Sequence, residues 1–321
     1  MLKVLAVAIL LASAGQGDKG FNDAALAGLD AAKKHGRLTV TIRPVPRADD
    51  YGTTIDQLVA GGPDLVIGVG FLYMEPFRAA SARHPQTHFL LLDVELAGLP
   101  NVRSVTFRAD EGSFLAGVAA AAESKRGAVG FVGGMNMPII QAFECGYETG
   151  VYWAAKELHR TVRGSAVYIG TTPEAFSSPA EGAEQTRVLI AQKGIDVVFA
   201  AAGASGLGVI GAAREAKLKA IGVDADQRHV APETVITSMR KRLDRVVETA
   251  VADVRKKAFR GGVTVMTLAN GGVDLVLPGQ LAPKTRTLVE KARAAIVSGR
   301  EPACVKERPP APTWTPRPSA P

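Results

Sequence analysis

Cysteine is nearly absent: the 321 residues hold two, Cys145 and Cys304. No C-x-x-C pair and no Cys/His cluster accompanies them, which excludes a zinc site and a multi-bridge framework and leaves a single disulfide open. Histidine is equally sparse: His35, His84, His88, His159 and His229 fall on polar helix ends or loops without metal-ligand spacing. Aromatic residues make up 6% of the chain, and no basic run is interleaved with them. The net charge of +7 is therefore read as a solvated surface, and nucleic acid is not expected as a partner. No G-x-S-x-G elbow is present, the serine of "GASGLG" has no histidine in register, and no acid pair stands out. The chain therefore offers no catalytic residue, no metal ligands and no cofactor site. Beyond the first residues, no apolar run is long enough to span a bilayer.

What the chain does have is alternation. Hydrophobic residues make up 47% and charged residues 21%, an ordinary globular mix long enough for two cores. Short β-branched or Leu-rich runs at 3–12, 38–44, 64–70, 88–93, 128–132, 166–170, 196–201, 219–223 and 234–238 alternate with helix-length segments. Those lie near 22–35, 53–61, 75–83, 111–124, 140–158, 180–193, 206–217 and 241–259. Strand–helix–strand alternation predicts α/β architecture, with parallel sheets covered by helices on both faces. The pattern restarts at "RGAVGFVGG", which predicts two doubly wound lobes. Residues 1–108 and 240–262 are expected to form the first, and 109–239 and 263–300 the second. The proline-rich stretch 301–321 is expected to be a flexible tail, with Trp314 solvated rather than docked.

The opening "MLKVLAVAILLASA" has the outline of a secretory signal, but cleavage after Ala14 would remove the strand that supports the following glycine loop. A buried first strand is the favoured reading. No lipobox cysteine is present, so an exported form is expected to need a leader beyond this start.

Three strand–glycine loop–helix units invite a ligand. "GQGDKGFN" contains Gly15, Gly17 and Gly20 in a literal G-x-G-x-x-G. Asp18 among those glycines would repel a pyrophosphate, and no acid ends the next strand. "GFVGGMNMP" is the second unit. "AAAGASGLGVIGAA" is the third; Asp224 follows its Gly203 at a dinucleotide-like distance, but its spacing is G-x-x-G-x-G. A nucleotide-dependent enzyme is thus a weaker alternative. Phe21 and Asn22, just past the first loop, suit a planar uncharged heterocycle through ring face and paired amide groups. Asn22 or Asp23 as a plain helix cap is the competing reading.

Taken in order, "GDKGFNDAALAGL", "ARHPQTHFLLLD", "PNVRSVTFRADEGSFLAGVAAA", "GFVGGMNMPIIQAFECGYETGV", "VVFAAAGASGLGVIGAA", "IGVDADQ", "TSMRKRLDRVV" and "NGGVDLV" resemble the basic-membrane-protein (BMP) family. These are solute-binding proteins, the purine-nucleoside receptors of ABC importers, and the likeness spans roughly residues 3–300. It implies a type I periplasmic-binding-protein fold, two doubly wound lobes around a ligand cleft, and capture of a purine nucleoside or similar small ligand by lobe closure. Phe21 and Phe199 would sandwich the base, and Asn22 and Asp18 would hydrogen-bond it. Asp93 would face the cleft, Gly203 would let backbone approach, and Asp224 and Lys241 would hold the ribose hydroxyls. The partner implied is an ABC transporter permease, in the periplasm or cell envelope, with membrane contact only through the transporter or a missing lipid anchor. A cytoplasmic nucleoside sensor on the same fold is the alternative. The chain departs from the family in its short "AGQGDKGFN" loop, in Ser177 and Ser178 where an Asp is usual, and in a short segment before "TSM".

Overall fold

The computed structural model describes residues 4–44, 50–305 and 314–316. The chain divides into two compact units, Met1–Phe107 with Arg242–Met266, and Arg108–Lys241 with Thr267–Pro321. It passes from one to the other three times, after Phe107, after Lys241 and after Met266.

In the first unit, β1 (Leu5–Leu10) is an almost continuously buried apolar run, as a central parallel strand must be. It pairs with β2 (Leu38–Arg43) on one side and β3 (Leu65–Val69) on the other. The opening stretch is thus a sheet strand hydrogen-bonded along both edges. β4 (His88–Leu92), β5 (Val102–Phe107) and β11 (Gly262–Met266) extend the sheet in the order β11-β5-β4-β3-β1-β2, every pair parallel. β5 is absent from the strands expected from the sequence, because Arg103, Ser104 and Thr106 leave neither a continuous apolar run nor a regular alternation. α1 (Phe21–Lys33) packs along α8 (Leu243–Arg255), and α2 (Tyr51–Ala60) along α3 (Met74–Arg83). The α2/α3 layer buries Tyr73, Phe77, Phe89 and Ile55. The Tyr73 hydroxyl donates to the Leu11 carbonyl at 2.6 Å, which satisfies it in the core.

The second unit repeats the plan. β6 (Ala128–Met135), β7 (Arg163–Gly170), β8 (Val197–Ala201), β9 (Lys219–Asp224) and β10 (Val235–Lys241) are parallel in the order β10-β9-β8-β6-β7. β12 (Val273–Leu275) adds antiparallel to β10. α4 (Ala109–Glu123) packs on α5 (Pro138–Glu157) and α9 (Pro283–Val297), while α6 (Pro179–Lys193) packs on α7 (Ser205–Glu215). α4 is buried on nearly all sides, which its sequence of Ala, Gly and Ser allows.

The stretch read as a free tail is tied to this unit at two points. Cys304 is bonded to Cys145 of α5, closing a sequence separation of 159 residues. β13 (Trp314–Pro316) pairs parallel with the outer edge of β7. Residues 306–313 and 317–321 lie outside the described residues.

Candidate functional site

In parallel α/β sheets, ligand groups gather beyond the carboxyl ends of the strands, where helix N-termini and loops converge. Beyond β1 lies the loop with Asp18, which is 2% exposed. Its carboxylate accepts from the backbone N–H groups of Gly20 (3.0 Å), Asn22 (2.8 Å) and Asp23 (3.1 Å). The chain thus places its own anion at the N-terminus of α1, where a phosphate would otherwise sit. Asp23 answers by accepting from the N–H groups of Gly17 and Lys19, so the loop is pinned from both sides. Burial pushes the Asp18 carboxyl above its ordinary range, against the pull of the three N–H donors.

Asn22 is fully buried. Its Oδ1 accepts from the Ala12 N–H at 2.8 Å, and its Nδ2 donates to the Ala12 carbonyl at 3.5 Å. Asp18 and Asn22, expected to hydrogen-bond a base, each hold the loop's own backbone through these contacts and set its course. Phe21, half-buried at the first position of α1, is what that loop presents. A Cβ on Gly70, just past β3, would come within 3.4 Å of its ring. Asp93 follows β4 directly, with φ of 65°, and its N–H donates to the Val105 carbonyl at 2.7 Å.

In the second unit the expected aromatic, Phe199, does not reach the strand ends. It sits mid-strand in β8, paired with Phe131, and is fully buried among the rings of Phe131 (5.9 Å), Phe143 (6.4 Å) and Tyr147 (5.4 Å). It is a core residue, and its assignment to the ligand is withdrawn. The aromatic at the carboxyl edge is Phe176, half-buried at the end of a short 3-10 turn after β7. Its ring covers Gly134 of β6, where a Cβ would come to 2.3 Å. Its carbonyl and Cβ approach Gly203, whose φ of 55° and 2.9 Å clearance both require glycine. The signal for Phe176 was an aromatic between a strand and a proline-started helix, a context that "EAFSSP" carries openly.

Asp224 ends β9 with φ of 64° and is 7% exposed. Its turn is held by the Ala225 N–H donating to the Val223 carbonyl (2.7 Å) and by Gln227 Oε1 accepting from the Val223 N–H (3.0 Å). Lys241 ends the neighbouring β10, one residue past Arg240, the register partner of Asp224. It is 2% exposed, with Nζ 4.5 Å from the centre of the Phe143 ring. An aliphatic stem in the core and an aromatic face under Nζ let this side chain be buried. Two residues past Asp224, Asp226 is held below the ordinary carboxylate range by Arg228, which grips both its oxygens.

Among the described residues, no group of three or more His, Cys, Asp or Glu side chains is arranged to hold a metal ion. No helix among them is long and apolar enough to cross a membrane.

Two lobes of parallel sheet with this connectivity define the type I periplasmic-binding-protein class. Residues 5–301 match the model of the Bmp family, described as ABC transporter substrate-binding protein PnrA-like. The chain belongs to that family of substrate-binding proteins. It is 32% identical to the ABC transporter nucleoside-binding protein BmpA of Lactococcus lactis subsp. cremoris, over 92% of this chain and 88% of that protein. Basic membrane protein A of Borreliella burgdorferi is 31% identical over 76% of this chain and 71% of its own length. Among solved structures, an ABC transporter solute-binding protein from Aeropyrum pernix superposes with a TM-score of 0.84 at 28% identity, covering 92% of each chain. Membership implies a small-molecule ligand, a permease partner and work outside the cytoplasm.

Proposed function

We propose that the protein captures a purine nucleoside for an ABC importer, closing its lobes on the ligand and presenting the closed form to the permease. Phe21 and Phe176 supply faces for the base. Asp224 accepts from the vicinal ribose hydroxyls, Lys241 donates to them, Asp93 adds a second acceptor, and Gly203 admits the ligand to backbone. Asp18 and Asn22 position Phe21. No chemical step is assigned to any of these groups; the function is binding.

The observation that carries this reading is the buried acid and buried lysine at the ends of two adjacent strands. A carboxylate and an ammonium kept out of water suit a ligand edge with both donors and acceptors, such as a diol. The relative named as nucleoside-binding supports the same ligand class. The Cys145–Cys304 bridge favours an extracytoplasmic protein over a cytoplasmic sensor, because such bonds persist in oxidising compartments.

Titration calorimetry with adenosine, inosine, adenine and ribose tests it. Adenosine or inosine is expected to bind far more tightly than either fragment. Asp224→Ala is expected to weaken nucleoside binding by about 3 kcal/mol or more, since it leaves polar groups without their partner. Phe21→Leu, which loses stacking worth roughly 0.5–1.5 kcal/mol, should cost less. Unchanged affinity in Asp224→Ala would sink the assignment.

A further inference from the structure

The first and third passages of the chain run side by side. β5 and β11 pair in parallel up to their last residues, Phe107 with Met266. Beyond Phe107 the ladder cannot continue, because Arg108 caps α4 and the following carbonyls enter the helix. The next N–H due on the other segment, that of Leu268, is 6% exposed at its residue and meets the Glu111 Oε2 at 2.7 Å instead. Glu111 sits in the first turn of α4, is itself 9% exposed, and has Arg108 Nη1 3.4 Å from its other oxygen. A side-chain carboxylate thus stands in for the missing backbone acceptor.

Leu268 belongs to a tight turn that starts where the third passage enters the second unit. Asn270 Oδ1 accepts from the N–H groups of Thr267 and Gly272, and Thr267 Oγ1 accepts from the Asn270 N–H. The turn leads into β12, whose Asp274 grips Arg240 of β10 through two hydrogen bonds at 2.8 and 2.7 Å. Beside Glu111, Gly112 lies so close to Met239 of β10 that a Cβ there would come to 2.4 Å. The second passage, which leaves β10 after Lys241, is therefore packed onto the same turn of α4.

We propose that Glu111 is a positioning residue of the hinge: its carboxylate extends the β5/β11 ladder by one rung, so the first and third passages bend as one ribbon. Two unlinked strands can each rotate about their own backbone dihedrals; a rung on each side of the crossing couples those rotations. This rests on the reading that the protein works by lobe closure. The measurements below need no ligand, so failure to bind any nucleoside would leave them intact.

The test pairs amide exchange at Leu268 with a spin-label distance distribution between Gln57→Cys on α2 and Gln192→Cys on α6, both exposed positions. Glu111→Ala removes the rung, and Glu111→Asp, the backup if the alanine variant folds poorly, is too short to reach. Each is expected to speed exchange at Leu268 by about 10-fold or more, the range for losing a hydrogen bond to a charged group, and to broaden the distribution. Glu111→Gln keeps an acceptor oxygen and is expected to stay within about 3-fold of the wild type with an unchanged distribution. Asn270→Ala loosens the same turn but leaves the rung, so it should speed exchange without broadening. Broadening in Asn270→Ala equal to that in Glu111→Ala, or an unchanged distribution in both rung-less variants, overturns the proposal.

Discussion

The two units are built on one plan with different chemistry at matching places. β1, β2, β3, β4 and β5 correspond in sheet position to β6, β7, β8, β9 and β10. Asp93 after β4 and Asp224 at the end of β9 share a left-handed backbone, with φ of 65° and 64°. Arg108 and Arg242 each cap the helix that follows a crossing and each grip the aspartate two residues on, Asp110 and Asp244. Gly28 of α1 lies against the Asp244 carbonyl as Gly146 of α5 lies against that of Asp110; a Cβ would come to 2.5 and 2.2 Å. Against this likeness, the last residue of β5 is Phe107, while the last residue of β10 is Lys241. One backbone device therefore carries an apolar neighbour in the first unit and a buried cation in the second. The scaffold sets where an aspartate is displayed, and the strand beside it decides what that aspartate can hold.

The aromatic residues offer the hardest break of this comparison. Phe199 is enclosed by other rings, so Phe199→Ala is expected to lower stability by about 3–5 kcal/mol in urea denaturation, the range for emptying an aromatic core site. Phe176→Ala, at the strand ends, should cost no more than about 2 kcal/mol of stability while weakening adenosine binding by roughly tenfold. A Phe199 variant that folds normally and loses only binding would reverse the two assignments.

That pair also marks how far sequence reasoning reaches. The alternation of apolar runs and Ala-rich helices predicts α/β lobes, and the need to support the glycine loop marks the opening stretch as a strand. Whether an aromatic on a strand ends in the core or at the edge depends on depth along the strand and on which face it takes. Phe199 lies in the middle of a run that is apolar throughout, so no period distinguishes its two faces. Asn22 is hard to read for a different reason: an amide beside a glycine loop serves a ligand or the loop equally well, and only the position of Ala12 shows that it holds the loop. The disulfide was open in the sequence because two cysteines so far apart carry no spacing signal.

A finer test compares the two aspartates. Asp224→Asn is expected to weaken adenosine binding by about 1.5–3 kcal/mol, the worth of hydrogen bonds to a charged acceptor. Asp93→Asn, half-exposed and without a buried lysine ending the next strand, should lose less than half as much. Equal losses in calorimetry would mean that the neighbouring strand does not set the role, and the contrast drawn between Phe107 and Lys241 would fail.

The smallest effect expected distinguishes the β1–α1 loop from the β6–α5 loop. The first carries Asp18 at the helix N-terminus; the second enters α5 through Pro138, with no acid in the first turn. Burial raises the folded-state pKa of Asp18 above its unfolded value, so the folded protein binds that proton more tightly than the unfolded chain does. The stability this contributes is complete below the ordinary aspartate range and is lost as pH rises through the raised value. Asp18→Asn removes the titration and one of the acceptor oxygens, a loss of about 1 kcal/mol. The stability advantage of the wild type over Asp18→Asn should therefore shrink as pH climbs from acid toward neutrality. Urea midpoints for both proteins across that interval check the sign. An advantage that grows with pH would mean that the three N–H groups outweigh burial and hold the carboxylate charged.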